Sequence, residues 1–153
     1  MTILRRLGIL RDRLVAVFEE PSVARFVTPV GSSSFTLSDA DPLASDRHVR
    51  DIEAPGLIGG SLAVLFFRTA HTGTPQYSVR LNATNLTRHA LSAAQAGAHA
   101  WHELIPAGAL RPVANELTFA ISEGGTVEFS DIVILYRSNK LTVSREPEVV
   151  SAV

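Results

Sequence analysis

Three runs in the last third of the chain constrain its fold more than anything else in it: Trp101-His-Glu-Leu-Ile-Pro106, Leu110-Arg-Pro-Val-Ala-Asn115-Glu-Leu-Thr-Phe119 and Val127-Glu-Phe-Ser-Asp-Ile-Val-Ile-Leu135. Each carries a stretch of strand length, and Gly, Pro or Asn separates it from the next. Such a succession is how one sheet of an antiparallel sandwich is encoded. Upstream, Leu62-Ala-Val-Leu-Phe-Phe67 is a continuous apolar run, and Tyr77-Ser-Val-Arg-Leu81 alternates with period two. Gly73-Thr-Pro75 is expected to turn the chain between these two strands. Gly124-Gly125 is expected to form the hairpin turn between strands at 116–122 and 127–136.

The remaining elements are sparser. Residues 22–60 hold most of the turn formers, with short edge strands expected at 35–37 and 48–52. The alanine-rich stretch 88–100 reads as a loop crossing the sandwich. It leads into a strand at 100–105, and a short final strand is expected at 141–143. The N-terminus is different in kind. Ile3, Leu7, Leu10, Leu14 and Val17 recur at spacings of three and four, Phe18 widens the stripe, and arginines occupy the other faces. These residues predict an amphipathic helix that Pro21 closes. A helix this short is marginal alone in water, so the stripe must bury itself against its own sandwich, a neighbouring subunit or a membrane surface. The expected organisation is a helix over 1–20 serving as an oligomerisation or docking arm, a sandwich over 22–143 and a tail over 144–153. The fold class is all-β, an antiparallel β-sandwich or jelly roll with an N-terminal amphipathic α-helix.

Composition narrows the function classes. Fourteen basic and fifteen acidic residues give a net charge of -1 without a basic stripe, which argues against nucleic-acid binding. The absence of cysteine excludes disulfides and thiolate chemistry. No apolar run approaches the twenty or so residues of a membrane-spanning helix. The charged first twenty residues do not fit an export signal, so synthesis in the cytoplasm and assembly into a particle are compatible with the sequence. A hydrophobic content of 46% against 19% charged residues favours association with partners, homo-oligomers included.

The stretch from about 61 to 137 resembles the galactose-binding-like jelly-roll superfamily. The resemblance is carried by Val79-Arg-Leu-Asn82, Trp101-His-Glu-Leu-Ile-Pro106, Asn115-Glu-Leu-Thr-Phe119 and the closing strand from Val127 to Leu135. It implies ligand-binding or docking roles. The chain departs from its sugar-binding members in holding one Trp and two Tyr, few rings for stacking on pyranoses.

Trp101 is the candidate platform, and its alternative role is packing between the sheets. His99, Trp101 and Glu103 share one face of a strand that starts at His99, with His102 on the other. His99 and Glu103 alone do not complete a metal shell, and neither a metal nor a cofactor is expected. Asp39, Asp41, Asp46, Asp51 and Glu53 lack the spacing of a calcium loop and read as a solvated segment. Asp131 interrupts an apolar strand and calls for an outward position or a partner, with Arg80 and Arg137 as candidates. No nucleophile elbow or phosphate loop is present, and an enzyme is not expected. The leading expectation is a non-enzymatic structural or docking subunit of a larger assembly, using the helix and an exposed apolar strand surface. The alternatives are a carbohydrate-binding module of galactose-binding-like type and a metal-dependent, cupin-like enzyme.

Overall fold

A computed structural model describes residues 22–140. Seven strands form an antiparallel β-sandwich: β1 (Val23–Val27), β2 (Phe35–Ser38), β3 (Asp46–Ile52), β4 (Ala63–Leu81), β5 (Thr84–Ala90), β6 (His99–Ile105) and β7 (Asn115–Ser138). Single 3-10 turns occur at Pro42–Ala44 and Ala93–Gln95. The expected N-terminal helix and the strand at 141–143 lie outside the described residues.

The architecture rests on β4 and β7, which are 19 and 24 residues long and pair with each other almost end to end, from Val64 opposite Leu135 to Leu81 opposite Leu117. This corrects two expectations. Gly73-Thr-Pro75 does not separate two strands, and Gly124-Gly125 is not a hairpin turn. Instead the glycines bend an unbroken two-stranded ribbon, so its two halves belong to opposite layers. At Gly73, Gly124 and Gly125 φ is positive, and a Cβ on any of them would lie 2.2 Å from a backbone carbonyl oxygen of the facing strand. Only glycine fits such a corner.

The N-terminal half of β4 and the C-terminal half of β7 form the first layer, flanked by β6 on one edge and by β1 and β2 in line on the other. The other halves form the second layer, flanked by β5 and β3. Side chains from the two halves meet in the core. Phe67 lies 6.2 Å from Tyr77 ring to ring, Phe119 lies 4.9 Å from Phe129, and Tyr77 lies 5.2 Å from Phe129. Leu37, Leu65, Val79, Leu81, Ile105, Leu117, Ile132 and Ile134 complete the set of largest fully buried side chains.

Two elements were not foreseen in the sequence. β1 carries a short alternation, and β5 is half polar because it is an edge strand with a solvated outer side. Asp131 sits at a bulge with φ of 51°, which returns Ile132 to the core after Phe129. Its partner is Arg68, at 3.0 Å, in place of the expected Arg80 or Arg137, because the bulge directs its carboxylate to the outer side of β4.

Candidate functional site

The two outer faces of the sandwich differ sharply in chemistry. In the first layer, cross-strand pairing aligns Phe26, Leu135, Val64 and Leu104 in one row across four strands. Phe66 lies in the next row between Val133 and His102. Phe26 is 70% exposed and Leu104 62%, so the row is open to solvent at both ends among the described residues.

The second layer presents Gln76, Ser78 and Arg80 on β4, Thr118 and Ser122 on β7, and Asn85 and Arg88 on β5. An open cleft of about 420 Å3 lies here, lined by Ser78, Asn85, Leu86, Thr87, Arg88 and Ser122, with the buried Tyr77 behind it. Its volume is that of a small-molecule site. The side chains of Ser78, Asn85, Thr87 and Arg88 have no hydrogen-bond partner among the described residues. They offer hydroxyl, amide and guanidinium groups to whatever enters.

Beside the cleft, the outer side of β3 meets β7 in a charged cluster. His48 lies between Glu116 and Asp46, and Arg50 donates through Nε to Glu116 at 3.1 Å. Hydrogen bonds that His48 donates to Glu116 and then to Asp46 raise its pKa above its ordinary 6.5, and accepting from His48 lowers that of Glu116. The raised histidine value stabilises the fold fully below pH 6.5, and that contribution is lost as pH rises through the folded-state value. The lowered carboxylate value acts in the opposite sense, its contribution fading as pH falls below the ordinary 4.5. His48→Gln is therefore expected to lower Tm most between pH 4.5 and 6.5, with the difference shrinking toward alkaline pH. Thermal melts of both proteins across that range check it. The effect is small because the cluster is exposed.

The residues singled out in the sequence sit at the open edge where β5 and β6, edge strands of different layers, approach each other. His99, Trp101 and Glu103 do share the inward side of β6, while His102 points outward beside Phe66. Trp101 is half-buried. Its Nε1–H donates to Thr69 Oγ1 at 2.7 Å, and its ring lies 4.6 Å from that of His89 and 6.2 Å from that of His99. Glu103 Oε1 lies 2.9 Å from His89 Nε2, and His99 Nδ1 lies 3.1 Å from the Gly97 carbonyl oxygen.

The indole is thus tied at its edge and wedged between imidazoles, packed against the core. Thr69 and His89 were missed in the sequence because they come from other strands. Only the period-two alternation of β6 itself was visible there. Deeper in, the ring nitrogens of His71 and the Tyr77 hydroxyl are buried without a partner among the described residues. Burial first, and the Glu103 carboxylate second, raise the Tyr77 pKa well above that of a free phenol. No three His, Asp or Glu side chains converge in a metal-binding arrangement among the described residues.

No family model matches the sequence. No curated protein matches it either. Among solved structures, the chain superposes on the dimeric latent PorU of Porphyromonas gingivalis with a TM-score of 0.54 at 12% identity, covering 76% of this chain and 13% of PorU. The resemblance is one of fold. The chain thus spans a small part of PorU's length. Weaker superpositions include a CBM4 structure, with a TM-score of 0.46 at 17% identity over 78% of this chain and 81% of that one. Another is the C-terminal CBM6 of LamC, a laminarinase of Zobellia galactanivorans, with a TM-score of 0.42 at 10% identity over 74% of this chain and 99% of that one.

Proposed function

We propose that the chain is a non-catalytic jelly-roll binding module whose ligand is a carbohydrate held on the outer face of the second layer. The observation that carries this reading is the cleft lined by Ser78, Asn85, Thr87 and Arg88, whose side chains have no hydrogen-bond partner among the described residues. Neutral hydroxyl and amide groups beside one guanidinium suit the alternating donors and acceptors of a polyhydroxylated ring. Stacking contributes little, because Tyr77 is 1% exposed and Trp101 is wedged at the other edge. Recognition through hydrogen bonds without an aromatic platform predicts modest affinity and strong dependence on individual polar side chains.

Titration calorimetry against a broad oligosaccharide panel tests this. Saturable binding is expected, weakened about tenfold or more by Asn85→Ala or Arg88→Ala, a loss of roughly 1.4 kcal/mol. Trp101→Ala, if it folds, is expected to leave the affinity unchanged. Absence of binding across the panel at millimolar ligand would overturn the reading. A second reading, a docking subunit in a homo-oligomer or larger assembly, is favoured by the apolar row on the opposite face.

A further inference from the structure

The apolar outer face of the first layer calls for a cover, and its own strands supply the comparison. β4 and β7 run through both layers. In the second layer their outward residues are Gln76, Ser78, Arg80, Glu116, Thr118 and Ser122, with Ala120 the one small apolar side chain among them, as expected of a face in water. In the first layer the same two strands turn apolar on both sides, in Ala63-Val-Leu-Phe-Phe67 and Ile132-Val-Ile-Leu135. Strands apolar on both faces belong to sheets covered on both faces. The change is confined to one half of one ribbon, and general apolarity of the chain does not explain it.

We propose that residues 3–18 of the same chain lie across this face, with Ile3, Leu7, Leu10, Leu14, Val17 and Phe18 set on the row from Phe26 to Leu104. The inference is independent of the carbohydrate reading, which concerns the opposite face, and it competes with the docking-subunit reading, which needs this row open to a partner. Three observations select this occupant. The stripe ends four residues before Ser22, and Ser22 opens directly into β1, the edge strand that carries Phe26. The four steps from Phe18 to Ser22, through Glu19, Glu20 and Pro21, reach roughly 13 Å when extended. That exceeds the roughly 10 Å between packed layers.

The dimensions also agree. Fifteen helical steps cover roughly 22 Å. Four strands spaced about 4.8 Å apart, crossed over a strand length of about five residues, give the face a diagonal of roughly 22 Å. Finally, a groove of about 470 Å3 runs beside β1 where the segment would enter, bordered by Ala24, Phe26, Val27, Pro55 and Tyr136 together with the charged Arg25 and Glu53. With the stripe seated, Arg5 would face water, and Arg6, Arg11 and Arg13 would flank the stripe, where long side chains carry their charged ends to solvent.

The test uses the full chain and reads each side from the other. Light scattering during size exclusion is expected to give a monomer. Trypsin is expected to cut slowly after Arg11 and Arg13, and about tenfold faster or more in Leu104→Asp, a change made on the sheet and read on the segment. Conversely Leu10→Asp, a change made on the segment, is expected to raise binding of an apolar fluorescent dye severalfold, and Phe26→Ser in that background to reduce it again. Circular dichroism shows whether each variant keeps its strands. Should Leu104→Asp lose them, Phe26→Ser alone carries the proteolysis comparison, because Phe26 is 70% exposed on an edge strand. Trypsin rates unchanged by the sheet substitutions would overturn the proposal. So would a dimer that dissociates on Leu104→Asp, since the cover would then be a second copy.

Discussion

Gly124→Ala is expected to destabilise the domain by about 4 kcal/mol or more, a large share of the roughly 5–15 kcal/mol that holds a typical domain together. Two costs add. At φ of 95° a side chain is strained in any surroundings, and the new Cβ would sit 2.2 Å from the Thr74 carbonyl oxygen, 2.7 Å from its carbonyl carbon and 2.9 Å from Pro75 Cα. All three are backbone atoms of the facing strand. Relief therefore requires β4 and β7 to part at the one place where both cross from layer to layer. Gly31→Ala separates the two costs, because Gly31 has a similarly positive φ of 65° with nothing within 4 Å of its virtual Cβ. It is expected to cost about 1 kcal/mol, the conformational share alone. Urea denaturation of the two variants measures both. A Gly124→Ala loss no larger than that of Gly31→Ala would show that the ribbon does not bend as described.

The same corner marks the limit of what the sequence reveals. The segments 116–122 and 127–136 alternate visibly and each pairs with β4, but Gly-Gly between two alternating segments is also a hairpin signal. What distinguishes a bend from a reversal is Gly73, some fifty residues earlier, lying against Gly124 in the folded chain. No local pattern contains that information. β3 and β6 were legible because one side of each packs on the core. β5 was not, since Asn85, Arg88 and the two threonines of an edge strand read as loop.

The candidate site divides in the same way. The shared face of His99, Trp101 and Glu103 follows from period two along one strand. The cleft depends on Ser78, Asn85 and Ser122 from three strands, which only the pairing brings together. Polar residues carry no periodic signature of their own, and so the face proposed to bind ligand was the less visible of the two. The apolar row was visible as composition without position: Leu62-Ala-Val-Leu-Phe-Phe67 announced a doubly apolar strand, but not that its neighbours Leu135, Leu104 and Phe26 would extend the row across the sheet.

Asn115 supports the second large prediction, and here the polar residue is structural. It is fully buried at the start of β7, and its amide makes four hydrogen bonds. Oδ1 accepts from the Arg111 N–H at 2.8 Å and from Asn82 Nδ2 at 3.1 Å, while Nδ2 donates to the carbonyls of Ile52 at 2.9 Å and Arg111 at 2.7 Å. One side chain thereby joins the end of β3, the segment 106–114 and the turn between β4 and β5. Asn82 returns the connection by donating to the Ala109 carbonyl and accepting from the Glu116 N–H. Asn115→Ala leaves two carbonyls and an N–H unsatisfied in a site of no exposure, and orphaned buried groups cost about 1–3 kcal/mol each before relaxation. A net loss of about 3 kcal/mol is expected, with the Arg111 amide exchanging its hydrogen far faster than in the parent protein. Asn82→Gly is expected to cost only about 1 kcal/mol. It keeps the positive φ of 53° at that position, and the half-buried groups it releases can reach water. Calorimetric melts with amide exchange measure the contrast. Equal losses in the two variants would mean that water reaches Asn115, and that its network does not hold the 106–114 segment in place.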